Sequence, residues 1–445
     1  MTGIMQVFLG TGAGSSFAYN NFLGWLSKNT ANVTYDYGRS ICVDNKGGVY
    51  VTGDVYSNSQ VFPVILSSKF DATGTTIWEN RVGKTTGSTH NGNGITADAN
   101  GNTYIVGNAD YGLNPYPALL IKCDSSGAIQ WQIELKDSVG TNSSALYCVT
   151  INSSGAICIS GISNSGDIAV ASVTSSGVIS WQRKLSSGYV NTGLGIVTDT
   201  SNNIYVAGYG QSSGTTVFGY LVKYNSSGAI QWQRYLIASS SSDEGFTGVA
   251  VDSSGNIYCV GYSKYGTATY SAILVKYNSS GTVLWQRKLS GSANTKGLGV
   301  SLDSSNNLYI TGTTISGSFI LGFIAKYDSS GTILWQRTIS NNSDASLYSI
   351  VVDINGTIFV CGLAYLGGSN AGVTTVNSFP NDGSKTGTYN NNGQTFYYSV
   401  SSLTDAAGSL VANTGALTDA AGIWSSSTST LSNVSNLYTL NRVII

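Results

Sequence analysis

The sequence predicts an all-β repeat protein, and two observations support this prediction. First, seven tryptophans stand 50 to 53 residues apart, and only Trp424 lies outside the series. Second, each interval contains short alternating segments rich in Val, Ile and Tyr, separated by Ser/Gly/Asn turns, without helical periodicity. A fixed period of this length is typical of a repeat architecture. The series consists of Trp25, Trp78, Trp131, Trp181, Trp232, Trp285 and Trp335.

One copy, residues 246–289, contains four predicted strands. They are FTGVAVD, IYCVGY, AILVKY and TVLWQRKL, with tight turns SSGN and NSSG inside the two hairpins. Four antiparallel strands in each repeat match one blade of a β-propeller. The first hairpin recurs seven times, which predicts a seven-bladed β-propeller. Its copies are residues 38–53, 92–107, 146–161, 193–208, 246–261, 297–312 and 347–362.

The seventh hairpin predicts how the ring closes. A third-strand candidate follows it at 371–383, but no tryptophan strand comes next. The unpaired tryptophan strand, residues 22–28, precedes the first hairpin instead. In a closed ring an N-terminal strand can complete the last blade and remove an open sheet edge. We therefore expect 22–28 to be the outer strand of the blade formed by 347–383.

The ends of the chain have a different composition from the repeats. We divide the sequence into an N-terminal arm (1–21), the propeller (22–383) and a small C-terminal β appendage (384–445). The hexamer LTDAAG occurs twice in the last segment, 14 residues apart. The final residues, LYTLNRVII, are apolar, so we expect this end to pack on the propeller or on another chain.

Two residue patterns recur from copy to copy. Each tryptophan lies on an outer strand, four residues past a turn glycine in YNSSGTVLWQR, and resembles the docking tryptophan of quinoprotein-type propellers. The resemblance implies that each ring packs flat against the neighbouring blade and buries apolar area. Asp also ends the first strand in six copies, and Lys lies in the third strand of five, which predicts an Asp–Lys contact within a blade. The residues are Asp44, Asp98, Asp199, Asp252, Asp303 and Asp353, with Lys69, Lys122, Lys223, Lys276 and Lys326.

Composition argues against several functional classes. Charged residues are 10% and the net charge is -1 without a basic cluster, which disfavours a nucleic-acid partner. No apolar run is long enough to span a bilayer, and the N-terminus lacks the features of a signal peptide. The six cysteines form no metal-binding spacing and resemble small apolar residues.

The sequence also contains no recognisable catalytic constellation. The one histidine, His90, lies in a Gly/Asn/Ser-rich segment that we expect to be a solvated loop. No nucleophile elbow, phosphate-binding loop or zinc-protease motif is present. We therefore expect no catalytic, cofactor-binding or metal-binding residues, and no enzymatic activity.

The variable loops are better candidates for function. Connections between blades, and between second and third strands, lie on one face of a propeller and carry Tyr among Ser, Gly and Asn. Such residues suit contact with a glycan or protein. Equally, the tyrosines could pack only against each other. The candidates are Tyr56, Tyr111, Tyr116, Tyr209, Tyr262 and Tyr265.

The string VDSSGNIY…VGY…LVKYNSSGTVLWQR resembles the SBBP-type and NHL-like propeller repeats over residues 22 to 383. This resemblance implies the fold and not an activity. The low-charge repeats, the short MTGIMQVFLGTGAG arm and the Thr/Ser/Ala-rich end also resemble virion proteins of tailed bacteriophages, notably cyanophages.

The phage resemblance implies a non-enzymatic structural protein of the tail or capsid, located in the virion. Residues 1–21 and 384–445 would contact other virion proteins, and the loops would contact a host-surface glycan or protein. Two alternatives remain: a bacterial surface or secreted glycan-binding propeller, and a quinoprotein-like enzyme. The enzyme would need calcium-binding and cofactor-binding residues that do not stand out from the repeats.

Overall fold

The chain forms β-strands and turns throughout the residues that the structure describes. The structure is a computed structural model. It describes residues 23–25, 36–56, 63–72, 74–83, 89–110, 116–137, 143–163, 166–186, 189–212, 216–237, 242–265, 269–341, 343–365, 372–384, 386–391, 394–401, 403–407, 411–414, 418–421, 424–428 and 432–433. Within these ranges there is no helix, and hence no helix that could cross a membrane. The predicted all-β class is confirmed.

Strand β1 (Leu23–Trp25) is followed by groups of antiparallel strands, which we number as repeats. Repeat 1 contains β2 (Tyr37–Val43), β3 (Val49–Tyr56), β4 (Pro63–Phe70) and β5 (Thr76–Gly83). Repeat 2 contains β6 (Thr89–Ala97), β7 (Thr103–Asp110), β8 (Ala118–Cys123) and β9 (Ile129–Asp137). Repeat 3 contains β10 (Ala145–Ile151), β11 (Ile157–Ile162), β12 (Ile168–Val173) and β13 (Ile179–Ser186).

The later repeats follow the same order. Repeat 4 contains β14 (Asn191–Thr198), β15 (Ile204–Ser212), β16 (Thr216–Tyr224) and β17 (Ile230–Ile237). Repeat 5 contains β18 (Ser242–Val251), β19 (Ile257–Tyr265), β20 (Ser271–Tyr277) and β21 (Val283–Ser290). Repeat 6 contains β22 (Thr295–Leu302), β23 (Leu308–Ser316), β24 (Phe319–Tyr327) and β25 (Ile333–Ser340). Repeat 7 contains β26 (Ala345–Val352), β27 (Ile358–Tyr365) and β28 (Gly372–Phe379).

Within a repeat, each strand pairs with the next in antiparallel register, and β1 pairs with β28 as the fourth strand of repeat 7. These pairings give six sheets in the described residues, because one parallel bridge, Val217 to Asp243, joins repeats 4 and 5. The first strands of successive repeats lie against one another, from β2 and β6 through to β22 and β26. Strand β26 also lies against β2.

The core lies between repeats. One apolar cluster, for example, combines Val197 and Leu221 of repeat 4 with Val249 and Val275 of repeat 5. Another cluster contains Ile41 of repeat 1 together with Val351, Phe359 and Val376 of repeat 7. Apolar alternation therefore buries each sheet against its neighbours, and repeat 1 shares a core with repeat 7.

The C-terminal segment differs from the predicted appendage in where its strands pair. They are β29 (Gly387–Asn391), β30 (Gln394–Val400), β31 (Thr404–Ala407), β32 (Val411–Thr414), β33 (Thr418–Ala421), β34 (Trp424–Thr428) and β35 (Ser432–Asn433). Strand β30 pairs with β29 and with β25 of repeat 6. Strands β31 to β35 then pair with the outer strands of repeats 5, 4, 3, 2 and 1, in that order.

The physical reason for this path is the unpaired backbone on each outer strand. An open edge presents N–H and C=O groups that pair readily with another strand. The C-terminal segment supplies short strands for six of these edges and forms no separate sheet among the described residues. It runs around the repeats in the direction opposite to the main chain, and we call residues 394–433 the tail.

Candidate functional site

Each tryptophan from Trp78 to Trp335 contacts a turn of the following repeat. The indole N–H of Trp232 donates to the carbonyl of Ser279 at 3.2 Å. Gly281 of the same turn has φ of +80°, and a Cβ there would lie 3.1 Å from a Trp232 ring carbon. The turn and the close approach both favour glycine. The corresponding acceptors are Ser125 for Trp78, Ser175 for Trp131, Ser226 for Trp181, Ser329 for Trp285 and Asn381 for Trp335, at 3.0 to 3.3 Å.

An arginine two residues after the tryptophan adds to this contact. The guanidinium of Arg234 lies 5.1 Å from the Trp232 ring centroid, and its Nε donates to the Gly281 carbonyl at 2.8 Å. Arg337 makes the same two contacts with Trp335 and Gly383. The side chain thus joins the outer strand of one repeat to the turn of the next through a cation–π contact and a hydrogen bond.

Trp25 has a different register from the other six. In repeat 5, Trp285 pairs with Lys276 of the third strand, and Lys276 pairs with Tyr258 of the second strand. The other tryptophans of repeats 1 to 6 have the same register, with Tyr or Cys at the second-strand position. Trp25 pairs with Thr375, whereas the equivalent third-strand position in repeat 7 is Ser378, opposite Phe359. Trp25 is therefore three residues out of step, and its side chain lies outside the described residues.

The predicted Asp–Lys contact is not a direct ion pair in repeat 5, where Tyr258 contacts both groups and the Asp252 charge acts on Lys276. The Tyr258 hydroxyl donates to Asp252 at 3.0 Å, and Lys276 Nζ lies 4.9 Å from the Tyr258 ring centroid. The ammonium donates instead to the Ser329 carbonyl in the next repeat at 2.9 Å. Among the described residues, a tyrosine that contacts both the Asp and the Lys of its repeat recurs as Tyr50, Tyr104, Tyr205 and Tyr309.

Burial and the neighbouring carboxylate raise the pKa of these tyrosines, that of Tyr104 to about 12, so the hydroxyls stay protonated and can donate. Each tyrosine ring also lies 6.1 to 6.3 Å from the tryptophan ring of its own repeat. The recurring Asp, Tyr, Lys and Trp residues therefore form one structural unit, and the carboxylates are committed to turn and tyrosine hydrogen bonds.

The one histidine and all six cysteines are buried in the described part of the chain. The expectation of a solvated His90 is wrong: it lies in β6, pairs with Ala109 and is fully buried. Its Gly/Asn-rich surroundings resemble a loop in composition but pair as a strand. All six cysteines are free and buried, and burial raises the pKa of Cys42 to about 11 and of Cys123 to about 12. Such thiols are poor nucleophiles at neutral pH. No metal-binding group of His, Cys, Asp or Glu occurs in the described ranges.

A β-bulge occurs at the same place in the first strand of every repeat. In β2, Gly38 pairs with Gly53 and Ser40 with Thr52, which leaves Arg39 as the extra residue. The seven extra residues, which we call the inner set, are partly exposed although their strands are mostly buried. They are Arg39, Asn93, Tyr147, Leu194, Thr247, Leu298 and Tyr348.

A glycine on the second strand permits each bulge. A Cβ at Gly53 would lie 1.7 Å from the Tyr37 carbonyl oxygen, which no other residue could tolerate without a backbone shift. The same overlap, at 1.8 to 2.0 Å, would occur at Gly107, Gly161, Gly208, Gly261, Gly312 and Gly362. Each of these seven glycines is the last residue of one hairpin copy in the sequence. The inner-set residue is the second residue of the same copy, and it varies from copy to copy. Sequence reasoning missed this signal.

Arg39 of the inner set contacts a buried carboxylate and a tyrosine ring. Its Nε donates to buried Asp54 at 2.7 Å, Asp54 also accepts from the Gly92 amide at 3.0 Å, and the guanidinium lies 5.2 Å from the Tyr37 ring centroid. Burial raises the pKa of Tyr348, and the nearby Arg39 charge opposes that shift. Arg39 acts similarly on Tyr147, whose pKa is raised by burial. The Arg39 charge therefore acts on a tyrosine of repeat 3 and on a tyrosine of repeat 7.

The predicted loop tyrosines fall into two groups. Tyr209 contributes, after burial, to the raised pKa of Tyr147 and of Tyr262. Tyr116 lies beside Asp110 in repeat 2. Tyr111 and the side chains of Tyr56 and Tyr265 lie outside the described residues.

A cluster next to Tyr262 was not predicted. Lys296 Nζ lies 4.7 Å from the Tyr262 ring centroid and 4.0 Å from that of Tyr270. The two rings meet edge to face at 5.5 Å, and the Tyr270 hydroxyl donates to Asp243. Lys264 lies 5.2 Å from the Tyr270 ring centroid. The cluster is partly exposed, so it offers aromatic faces, two ammonium groups and a carboxylate where repeats 5 and 6 meet.

The match to one family model agrees with a propeller-type repeat. Residues 231–264 match the SBBP family, described as a beta-propeller repeat. No curated protein matches the chain. A protein of unknown function from Dyadobacter fermentans is 10% identical, covering 81% of this chain and 97% of its own, with a TM-score of 0.47. Sqt1 from Chaetomium thermophilum is 13% identical, covering 74% and 79%, with a TM-score of 0.44. YCF48 bound to D1 peptide is 11% identical, covering 80% and 97%, with a TM-score of 0.43.

The contact between tryptophan and turn predicts a difference between two glycines of nearly equal backbone conformation. Gly228 has φ of +79°, and its added Cβ would lie 2.5 Å from the Trp181 ring. Gly155 has φ of +80°, and its added Cβ meets nothing within 4 Å. Gly155→Ala is expected to cost about 1 to 2 kcal/mol from the backbone alone. Gly228→Ala is expected to cost about 1 to 3 kcal/mol more, because the ring must move.

Chemical denaturation of the two variants, with Trp fluorescence as the readout, measures this difference. Equal losses of stability would show that the close approach of the turn to the tryptophan ring contributes nothing.

Proposed function

We propose that this chain is a non-enzymatic binding protein whose scaffold is a closed ring of seven four-stranded blades. The contacts between first strands support the ring, because the series from β2 to β26 ends with β26 against β2. The backbone amide of Ile41 in repeat 1 lies 3.4 Å from the Ser349 hydroxyl of repeat 7. The shared apolar cluster of these repeats and the pairing of β1 with β28 support it further.

The binding site of the proposal consists of Arg39, Tyr147 and Tyr348 of the inner set, together with Tyr209. The observation that carries this is their departure from the repeat. Tryptophans, turn glycines and the Asp–Tyr–Lys groups recur because they build the scaffold, whereas the inner set changes from copy to copy. Variation confined to partly exposed positions on a repeated scaffold is typical of a recognition surface.

The ligand class that fits is a glycan. Tyrosine rings stack on the apolar faces of sugars, and their hydroxyls form hydrogen bonds without requiring a charged ligand. The cation at this site, Arg39, is already held by Asp54, which leaves its remaining donors for hydroxyl or carboxylate groups. A peptide that offers backbone carbonyls is the second candidate, since tyrosines suit protein contacts equally.

The setting that we propose is the virion of a tailed bacteriophage, with a host-surface glycan as ligand. This rests on the resemblance in sequence style together with low charge and the absence of any catalytic group among the described residues. The strands of the tail pair with the chain's own repeats, so contact with other virion proteins is assigned to the outward surface of that segment and to residues 1–21. The latter lie outside the described residues.

Binding to immobilised bacterial surface glycans tests the site. Tyr147→Ala and Tyr209→Ala are each expected to weaken binding about ten-fold, because each removes a stacking face worth about 1 to 1.5 kcal/mol. Leu284→Ala is the matched control, since Leu284 is 50% exposed on an outer strand away from the inner set. Unchanged affinity in both tyrosine variants, with binding retained, would move the site elsewhere.

Mass spectrometry of purified phage particles tests the setting. The chain is expected as a stoichiometric component of washed virions. Its absence from particles, with the protein found at the surface of a bacterium, would favour the cellular glycan-binding alternative.

A further inference from the structure

The tail pairs with the repeats at a constant spacing. In each of repeats 1 to 6, the outer-strand residue four positions after the tryptophan is apolar and buried. The tail residues opposite these positions are seven residues apart from one repeat to the next. The pairs are Ile339 with Tyr398, Leu289 with Asp405, Leu236 with Ala412, Leu185 with Asp419, Leu135 with Ser426 and Val82 with Asn433.

This spacing accounts for the duplicated hexamer in the sequence. The two copies of LTDAAG lie 14 residues apart, and their strands, β31 and β33, pair with repeats 5 and 3. Between them, β32 has the unrelated sequence VANT but pairs with repeat 4 in the same register. Strand β34, WSSST, pairs with repeat 2. The unit sequences differ while the spacing is kept.

We propose that the outer edges of repeats 1 to 6 are interchangeable acceptor sites for strand addition, and that the tail is recognised by its seven-residue spacing. Main-chain hydrogen bonds supply the affinity of an added strand, and these are independent of side-chain identity. Successive units bind with the advantage of high effective concentration, which is realised only when the linker matches the distance between edges. The partner that fits this surface is an extended Ser/Thr/Ala-rich segment of the same period, here the chain's own tail.

The proposal predicts that the tail can be shifted by one whole repeat. In the native register Thr418 lies opposite Ser186 of repeat 3, and Val411 lies opposite Ile237 of repeat 4. Removing residues 411–417 places Thr418 at the position of Val411, opposite Ile237. Directly opposed Cα atoms in antiparallel strands are about 4.5 to 5.5 Å apart, which is within disulfide range.

The experiment uses the full chain carrying Ser186→Cys, Ile237→Cys and Thr418→Cys, oxidised and mapped by mass spectrometry. Without a deletion, the thiol at position 418 is expected to link to position 186 over 237 by about ten-fold or more, a factor that corresponds to about 1.4 kcal/mol. With residues 411–417 removed, the preference is expected to reverse. The six native cysteines are buried and so do not compete.

Removal of residues 411–413 alone is the matched control. This deletion shortens the segment between β31 and β33 but places position 418 opposite neither position 186 nor position 237. Neither disulfide is therefore expected to dominate. Persistence of the 186–418 link after the seven-residue deletion would overturn the proposal, as would the same reversal after the three-residue deletion. A lack of both links in the undeleted chain would show that the tail does not occupy these edges.

Discussion

The contact between each tryptophan and the following turn is the interaction on which the rest of the structure depends. A four-stranded sheet with two apolar faces is not stable alone, because those faces need to be covered. The indole ring provides apolar area at the sheet edge, and its N–H selects one carbonyl of the next turn, so packing acquires a fixed register. Arg234 and Arg337 reinforce the same turn with a hydrogen bond and a cation–π contact. The same docking contact recurs from repeat 1 to repeat 6, each time with the turn of the following repeat.

Repeated residues and variable residues are separated along each sheet. Towards the outer strand, residues repeat because the docking contact and the Asp–Tyr–Lys arrangement tolerate few substitutions. Towards the inner strand, a bulge permitted by glycine leaves one residue unpaired and partly exposed. That residue is Arg39 in one repeat and Tyr147 or Leu194 in others. The proposed site consists of positions whose identity changes from repeat to repeat.

Much of the fold could be predicted from the sequence because its determinants are local and repeated. The tryptophan period and the alternating hairpins indicated antiparallel four-strand repeats, and the missing last strand indicated a role for the N-terminal one. The path of the tail could not be predicted in this way. Each unit has two to five paired residues. The separation of a unit from its partner ranges from 57 residues (Ser340 and Tyr397) to 351 residues (Val82 and Asn433), so only the 14-residue hexamer offset carried the signal. The inner set could not be predicted either, because the bulge that defines it depends on a glycine of the neighbouring strand. The Gly/Asn-rich composition around His90 led to the wrong prediction of a solvated loop, whereas His90 lies in a strand. The nearly equal spacing of the tryptophans gave no indication that the pairing of Trp25 is shifted.

An experimental structure at a resolution that shows side chains is the most direct test of the central claim, that tryptophan docking repeats around the ring until repeat 7 meets repeat 1. The account predicts indole N–H to carbonyl contacts between each pair of successive repeats from 1 to 7, with β26 packed on β2 and Ser349 beside Ile41. An open array in which β2 and β26 lie at opposite ends, or tryptophans that face solvent instead of the next turn, would contradict it.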